Sequence, residues 1–281
     1  MNKKKLIRII ARLDIKNGYL IKGINLEGLR VLGDPYNFAQ TYYKDGIDEI
    51  FYVDTVATLY GTNNLSKFIK RTANNLFVPL AIGGGIKTVN DAKKIFQAGA
   101  DKIVINSSAI LNPKVIDKFA RLFGSANLCL SIEAIKLENN YFISRSNGRD
   151  IEKINPIEWI KIAQDLGAGE ISLTSVNYEG LERGFDLGLY EKASNIIKIP
   201  LIAHGGCGSF SHVEKLIKSS EIDGVVISSL FHYNYFQRFK FKKINLGNTE
   251  FLENNIKLNT KKQNVIKQLK KYLKAKNILI R

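Results

Sequence analysis

An internal repeat constrains this chain more than any other feature. A short apolar run of strand type, Leu80-Ala81-Ile82, stops on Gly83-Gly84-Gly85, and an amphipathic segment starts at Val89. Leu201-Ile202-Ala203-His204-Gly205-Gly206-Cys207-Gly208 repeats the design, with Gly205 lying 122 residues after Gly83. Asp101-Lys102-Ile103-Val104-Ile105 matches Asp223-Gly224-Val225-Val226-Ile227 at the same offset. Asp14, ending Ile9-Ile10-Ala11-Arg12-Leu13, answers to Glu133, which ends Leu128-Cys129-Leu130-Ser131-Ile132 and lies 119 residues on. Self-similarity at a fixed period marks a duplicated unit. Each copy carries a strand ending in a carboxylate and a glycine turn whose free N–H groups suit an anion.

Eight apolar runs read as strands, at 6–13, 48–53, 78–82, 101–105, 127–132, 169–174, 200–203 and 223–227. Most are rich in Ile, Val and Leu without strict alternation, as in parallel strands covered on both faces. Alternating βα units with a two-fold repeat predict an α/β fold, a (β/α)8 TIM barrel built from two half-barrels. Residues 1–281 then form one domain, with an irregular basic insertion at about 237–260 and a closing helix carrying Val265, Leu269 and Leu273 at helical spacing. The stretch from Lys16 to Pro35, with four glycines, reads as a long lid loop over the mouth.

Charge narrows the partners. The chain carries a formal +16, but residues 237–281 hold 13 Lys/Arg against 2 Glu, which is most of that excess. A basic terminal helix face explains it, and nothing else resembles a nucleic-acid module. Two cysteines give no disulfide framework, Arg8 and Arg12 interrupt any signal-peptide core, and no run approaches the roughly 20 apolar residues of a membrane span. These features predict a cytoplasmic protein. Three histidines and two cysteines show no metal-ligand spacing, so neither metal nor organic cofactor is expected.

In a barrel, chemistry sits at the C-terminal ends of strands. Asp14 and Glu133 end strands one and five and face each other across the mouth as an acid and base pair; Asp54 and Thr58 are weaker candidates there. Gly84 and Gly85 with Asn106 and Ser107 form one anion site, and Gly206, Gly208, Ser228 and Ser229 form another. Two such sites across one mouth imply an elongated bisphosphate. Lys22, in the lid, can reach an anionic substrate, and His204 can touch it. At the other end Arg8, Glu49, Lys102 and Glu170 start strands, where a ring of rim-exposed salt bridges would serve stability at about 0–1 kcal/mol per pair.

Ile9-Ile10-Ala11-Arg12-Leu13-Asp14, Gly33-Asp34-Pro35, Gly83-Gly84-Gly85-Ile86, Gly99-Ala100-Asp101-Lys102 and Gly167-Ala168-Gly169-Glu170-Ile171 resemble the cyclase subunit of imidazole glycerol phosphate synthase. The resemblance runs from about residue 6 to 235 and resumes in the last helix. It implies a barrel that closes an imidazole ring with ammonia made by a separate glutaminase subunit docked on the N-terminal face. The substrate would be phosphoribulosyl-formimino aminoimidazole carboxamide ribotide. The products would be imidazole glycerol phosphate and aminoimidazole carboxamide ribotide. It further implies that Asp14 is one catalytic carboxylate and that Arg8, Glu49, Lys102 and Glu170 form the ammonia gate. Gly180 would adjoin a phosphate. The chain departs from the pattern at Glu133 for aspartate, Ile135 for a basic residue, Asn177-Tyr178-Glu179-Gly180 for Asp-x-Asp-Gly, and His204 for a small hydroxyl residue. These changes cluster at the mouth while the gate is intact. They leave open a paralogue that channels ammonia to amidinate a surface-polysaccharide sugar. A related aminoaldose–ketose isomerase barrel would not need the gate.

Overall fold

The computed structural model describes residues 5–57, 66–236 and 264–281; Thr58 and the basic stretch 237–260 lie outside them. Eight parallel strands close on themselves in the order β1 (Arg8–Lys16), β4 (Glu49–Asp54), β5 (Leu80–Gly83), β6 (Lys102–Ile105), β7 (Leu128–Leu137), β10 (Glu170–Ser175), β11 (Leu201–His204) and β12 (Gly224–Ile227). The ring shuts where Arg8 pairs with Gly224 and Ile9 with Val225. Helices connect these strands, so the fold is the TIM barrel expected from the repeat.

The stretch expected to be a lid loop is instead a hairpin. β2 (Tyr19–Ile24) and β3 (Glu27–Gly33) fold back on β1, pairing Asp14 with Ile21. Asn17-Gly18, both at positive φ, makes the tight turn, and that dipeptide is a strong hairpin signal in its own right. The other half-barrel repeats the device: β7 continues into β8 (Asn140–Arg145) and β9 (Asp150–Glu152), with Glu133 opposite Ser144. Each half then starts a helix the same way. Asp34 caps α1 (Pro35–Lys44) by accepting from Tyr36 N, and Asn155 caps Pro156–Asp165 by accepting from Ile157 N.

The repeat register needs a correction of one residue. Gly84 and Gly205 share φ values of +102° and +103°, so the glycine turns superpose with an offset of 121 and His204 takes the place of Gly83. A Cβ on Gly84 would lie 2.3 Å from Asp54 O, and one on Gly206 would lie 1.8 Å from Gly184 O. Only glycine fits either turn.

Core packing follows strand parity. One apolar shell lies between strands and helices, and a smaller cluster, including Ile10, Phe51, Val104, Cys129 and Val226, plugs the barrel interior. Three aspartates clamp adjacent strands at the barrel bottom: Asp48 accepts from Ile9 N at 2.8 Å, Asp101 from Leu80 N at 2.8 Å and Asp223 from Leu201 N at 2.9 Å. In the fourth equivalent place stands Gly169, whose Cβ would meet Ser125 O at 1.9 Å. The closing helix, Val265–Ala275, buries Val265, Ile266, Leu269 and Leu273 as its spacing predicted. Lys270 ties it to Asp48 at 2.6 Å.

Asp48 therefore satisfies a buried backbone donor and anchors the last helix. Asp48→Ala should cost about 1–3 kcal/mol, measured as a lowered urea midpoint. A loss below about 0.5 kcal/mol would mean that neither contact carries stability.

Candidate active site

The C-terminal mouth opens on a cavity of about 590 Å³, lined by Arg12, Gly84, Gly85, Asn106, Ser107 and Glu133 among others. β1 supplies one wall. Its even-numbered residues Arg8, Ile10, Arg12 and Asp14 point inward by parity, and both Arg12 and Asp14 are buried. Arg12 was not singled out from the sequence, although that alternation was its signal. Its Nε donates to Asp14 Oδ1 at 2.8 Å. Burial opposes the guanidinium charge, but Asp14 and then Glu133 hold it in place.

Glu133, on β7, is buried. Its carboxylate accepts from Gly148 N at 2.9 Å, in the turn after β8, and from Ser144 Oγ at 3.5 Å. Burial pushes its pKa up to about 7, against the opposing pull of Arg12 and the Gly148 N–H, with Asp14 adding to the rise. The two carboxylates thus sit within electrostatic reach of one another on either side of Arg12. Asp54 lines the same cavity, but its Oδ1 caps the following loop, accepting from Val56 N and Ala57 N.

The two anion loops differ. Gly84 and Gly85 line the main cavity, and beside them the buried Asn106 side-chain oxygen has no hydrogen-bond partner among the described residues. Ser107 Oγ accepts from Ser146 N at 3.1 Å. The second loop closes on a recess of only about 10 Å³, lined by Gly180, His204, Gly206, Ser228 and Ser229. Gly208 is not on that wall; its N–H donates to His212 Nδ1 at 3.2 Å. Ser228 Oγ donates to Arg12 O. His204, bonded to Thr174 Oγ1 at 3.0 Å, is held neutral by burial and by the nearby charges of Arg12 and Lys22.

Lys22 is not free in this arrangement. Its buried ammonium pairs with Glu179 and donates to Gly23 O, while Asn25 N and Leu26 N also bond Glu179. The β2–β3 hairpin is thereby latched to Glu179, on the wall of the second recess.

At the opposite end the four charged residues form a closed ring. Arg8 bridges Glu49 at 2.7 Å and Glu170 at 2.5 Å; Lys102 bridges the same two at 2.9 and 3.1 Å. The ring is not rim-exposed, since the Glu49 and Glu170 side chains keep 1% and 6% of their surface. Breaking it strands a buried carboxylate, so its removal costs more than a surface pair.

Fold and mouth together define a (β/α)8-barrel enzyme of the duplicated half-barrel type. The profile of the Histidine biosynthesis protein family matches residues 8–237, and the chain belongs to that family. It is 49% identical over 203 residues to the imidazole glycerol phosphate synthase subunit HisF of Legionella pneumophila, covering 72% of this chain and 96% of that protein. The HisF subunit of Clostridium botulinum (strain Okra / Type B1) is 43% identical over 230 residues, 80% of this chain and 90% of its own. That of Bacillus cereus (strain G9842) is 41% identical over 227 residues, with the same coverage. No described helix is long and apolar enough to cross a membrane.

The raised pKa of Glu133 makes a signed prediction. Between its ordinary value of 4.5 and about 7, the folded protein holds a proton that the unfolded chain has lost, so stability falls as pH rises through that window. Glu133→Gln removes the penalty, so the variant should gain on wild type by up to about 3 kcal/mol between pH 5 and pH 8. Melting curves at both pH values check this, and a constant difference would place Glu133 in an ordinary solvated setting.

Proposed function

We propose that the chain is the cyclase subunit of an imidazole glycerol phosphate synthase, acting on the bisphosphorylated ribotide with ammonia from a partner glutaminase. The observation that supports this most is the alignment of a closed charge ring, an apolar plug and a carboxylate pair along one barrel axis. The names of relatives at up to 49% identity point the same way. They favour the cyclase over the amidinating paralogue.

Ammonia enters at the ring of Arg8, Glu49, Lys102 and Glu170. Above the ring the interior-facing residues of β10 and β7 run in register: Glu170 beside Cys129, Ser172 beside Ser131, Thr174 beside Glu133. Hydroxyls thus lead from gate to mouth through an otherwise apolar layer. Neutral ammonia crosses such a layer, whereas ammonium would lose its hydration without a counter-ion. At the mouth, Glu133 is divided between its two protonation forms near neutral pH, so it can accept a proton from the attacking nitrogen and return one. Asp14, fixed by Arg12, is its partner carboxylate.

One substrate phosphate binds at Gly84, Gly85, Asn106 and Ser107. The second goes to Gly180, Gly206, Ser228 and Ser229, which requires Lys22 to exchange Glu179 for the substrate and the hairpin to lift. The glutaminase docks on the N-terminal face, where Leu6, Phe77 and Leu279 expose 56%, 81% and 46% of their surface.

Asp14→Asn should lower ammonia-dependent turnover about 10²-fold or more while substrate still binds. Activity within a few fold of wild type would remove Asp14 from the mechanism. Lys102→Ala tests the gate. It leaves Glu49 and Glu170 sharing Arg8 alone and should cost about 3–5 kcal/mol. Glutamine-dependent turnover with the partner should fall further than turnover on ammonium salts. A parallel fall of both with melting temperature would make the ring purely structural.

A further inference from the structure

Arg12 has more donors than the protein uses. A guanidinium carries five N–H groups, one on Nε and four on the terminal nitrogens. Nε is spent on Asp14 at 2.8 Å, and among the described residues no acceptor takes a bond from Nη1 or Nη2. The side chain keeps only 5% of its surface, and the residue lines the main cavity. The terminal nitrogens are not among the sealed, unpartnered polar atoms of the interior, so they reach the cavity as donors an incoming group can use. Asp14 does not satisfy them, because it bonds Arg12 through Nε.

The occupant has to bring acceptors and negative charge. Planar, paired donors match an oxyanion in a two-pronged contact. Phosphate fits better than a single hydroxyl, because the same cavity presents the Gly84-Gly85 turn and the Ser107 hydroxyl. The cavity is also large enough to hold a phosphate monoester between Arg12 and that turn, at about 590 Å³. Glu133 and Glu179 act on Arg12 through space, but among the described residues neither forms a bond with it.

We propose that Arg12 is a phosphate-binding residue of the mouth, held by Asp14 through Nε and gripping a substrate phosphate with Nη1 and Nη2. One residue then couples binding to chemistry, since the group that seats the phosphate also sets the position of the carboxylate beside the reacting atoms. The proposal rests on the mouth being a phosphate site, as in the cyclase reading, but its test uses no turnover.

The test is titration with inorganic phosphate, followed by calorimetry, on five forms of the full chain: wild type, Arg12→Gln, Arg12→Lys, Asp14→Asn and the double variant Arg12→Gln/Asp14→Asn. Arg12→Gln strands Asp14 without its partner and is vulnerable to misfolding, whereas the double variant removes both charges together. Asp14→Asn should bind phosphate at least as tightly as wild type, because a nearby negative charge is gone. The double variant should bind about tenfold or more weaker than Asp14→Asn, with Arg12→Lys in the wild-type background recovering only part of the affinity. Equal phosphate affinity in Asp14→Asn and the double variant would overturn the proposal and leave Arg12 as a mere counter-ion. Loss of phosphate binding with Arg12 upholds it even where the cyclase reaction itself is not found.

Discussion

Closure of the barrel between β1 and β12 is the constraint on which the other features depend. Once Arg8 is set against Gly224 and Ile10 against Glu49, strand parity dictates what every second residue of β1 faces. Arg8 then falls in the charge ring, Ile10 in the apolar plug, Arg12 in the mouth cavity and Asp14 beside it. A ring residue, a plug residue, a cavity-lining guanidinium and a carboxylate are stacked on one strand. A register slip of one residue would turn all four to the helix layer. The aspartate clamps of Asp48, Asp101 and Asp223 act against such slips, because each pins the start of a neighbouring strand.

Duplication supplied two equivalent halves, and the site grew from their differences. Both glycine turns adopt the same backbone, yet one opens on about 590 Å³ and the other on about 10 Å³. On the wall of the smaller one stand His204, in the place of Gly83, and Glu179, which bonds Lys22 and Leu26 of the β2–β3 hairpin. The carboxylates have diverged as well. Asp14 has a bonded counter-ion, while Glu133 has one only at a distance and is pushed by burial to about 7. A carboxyl raised to about 7 is placed to exchange protons at neutral pH.

The barrel was legible in the sequence because apolar strand starts and glycine turns are local signals. Each strand was placed within a few residues of its observed start, and the four residues of the charge ring were placed together from their positions alone. Depth was not legible. Glu49 and Glu170 read as rim charges because a sequence shows which residue starts a strand, not how far it lies beneath its neighbours. The hairpin was missed because four glycines suggested an open loop, although Asn17-Gly18 already specified a turn. Arg12 was passed over because it read as an interruption of an apolar run; its partner, two residues on, shares its face only once the strand is assigned. The Lys22–Glu179 latch joins residues far apart in the chain, so no local pattern pointed to it.

The central claim is that ammonia delivered along the barrel axis is built into a ring at the Asp14–Glu133 mouth. The most direct measurement incubates the chain alone with the bisphosphorylated ribotide and ¹⁵N-labelled ammonium salt above neutral pH, followed by mass spectrometry of the products. The account predicts imidazole glycerol phosphate one mass unit heavier than the unlabelled product, formed alongside unlabelled aminoimidazole carboxamide ribotide. Recovery of intact substrate, from protein that binds it, would contradict the account.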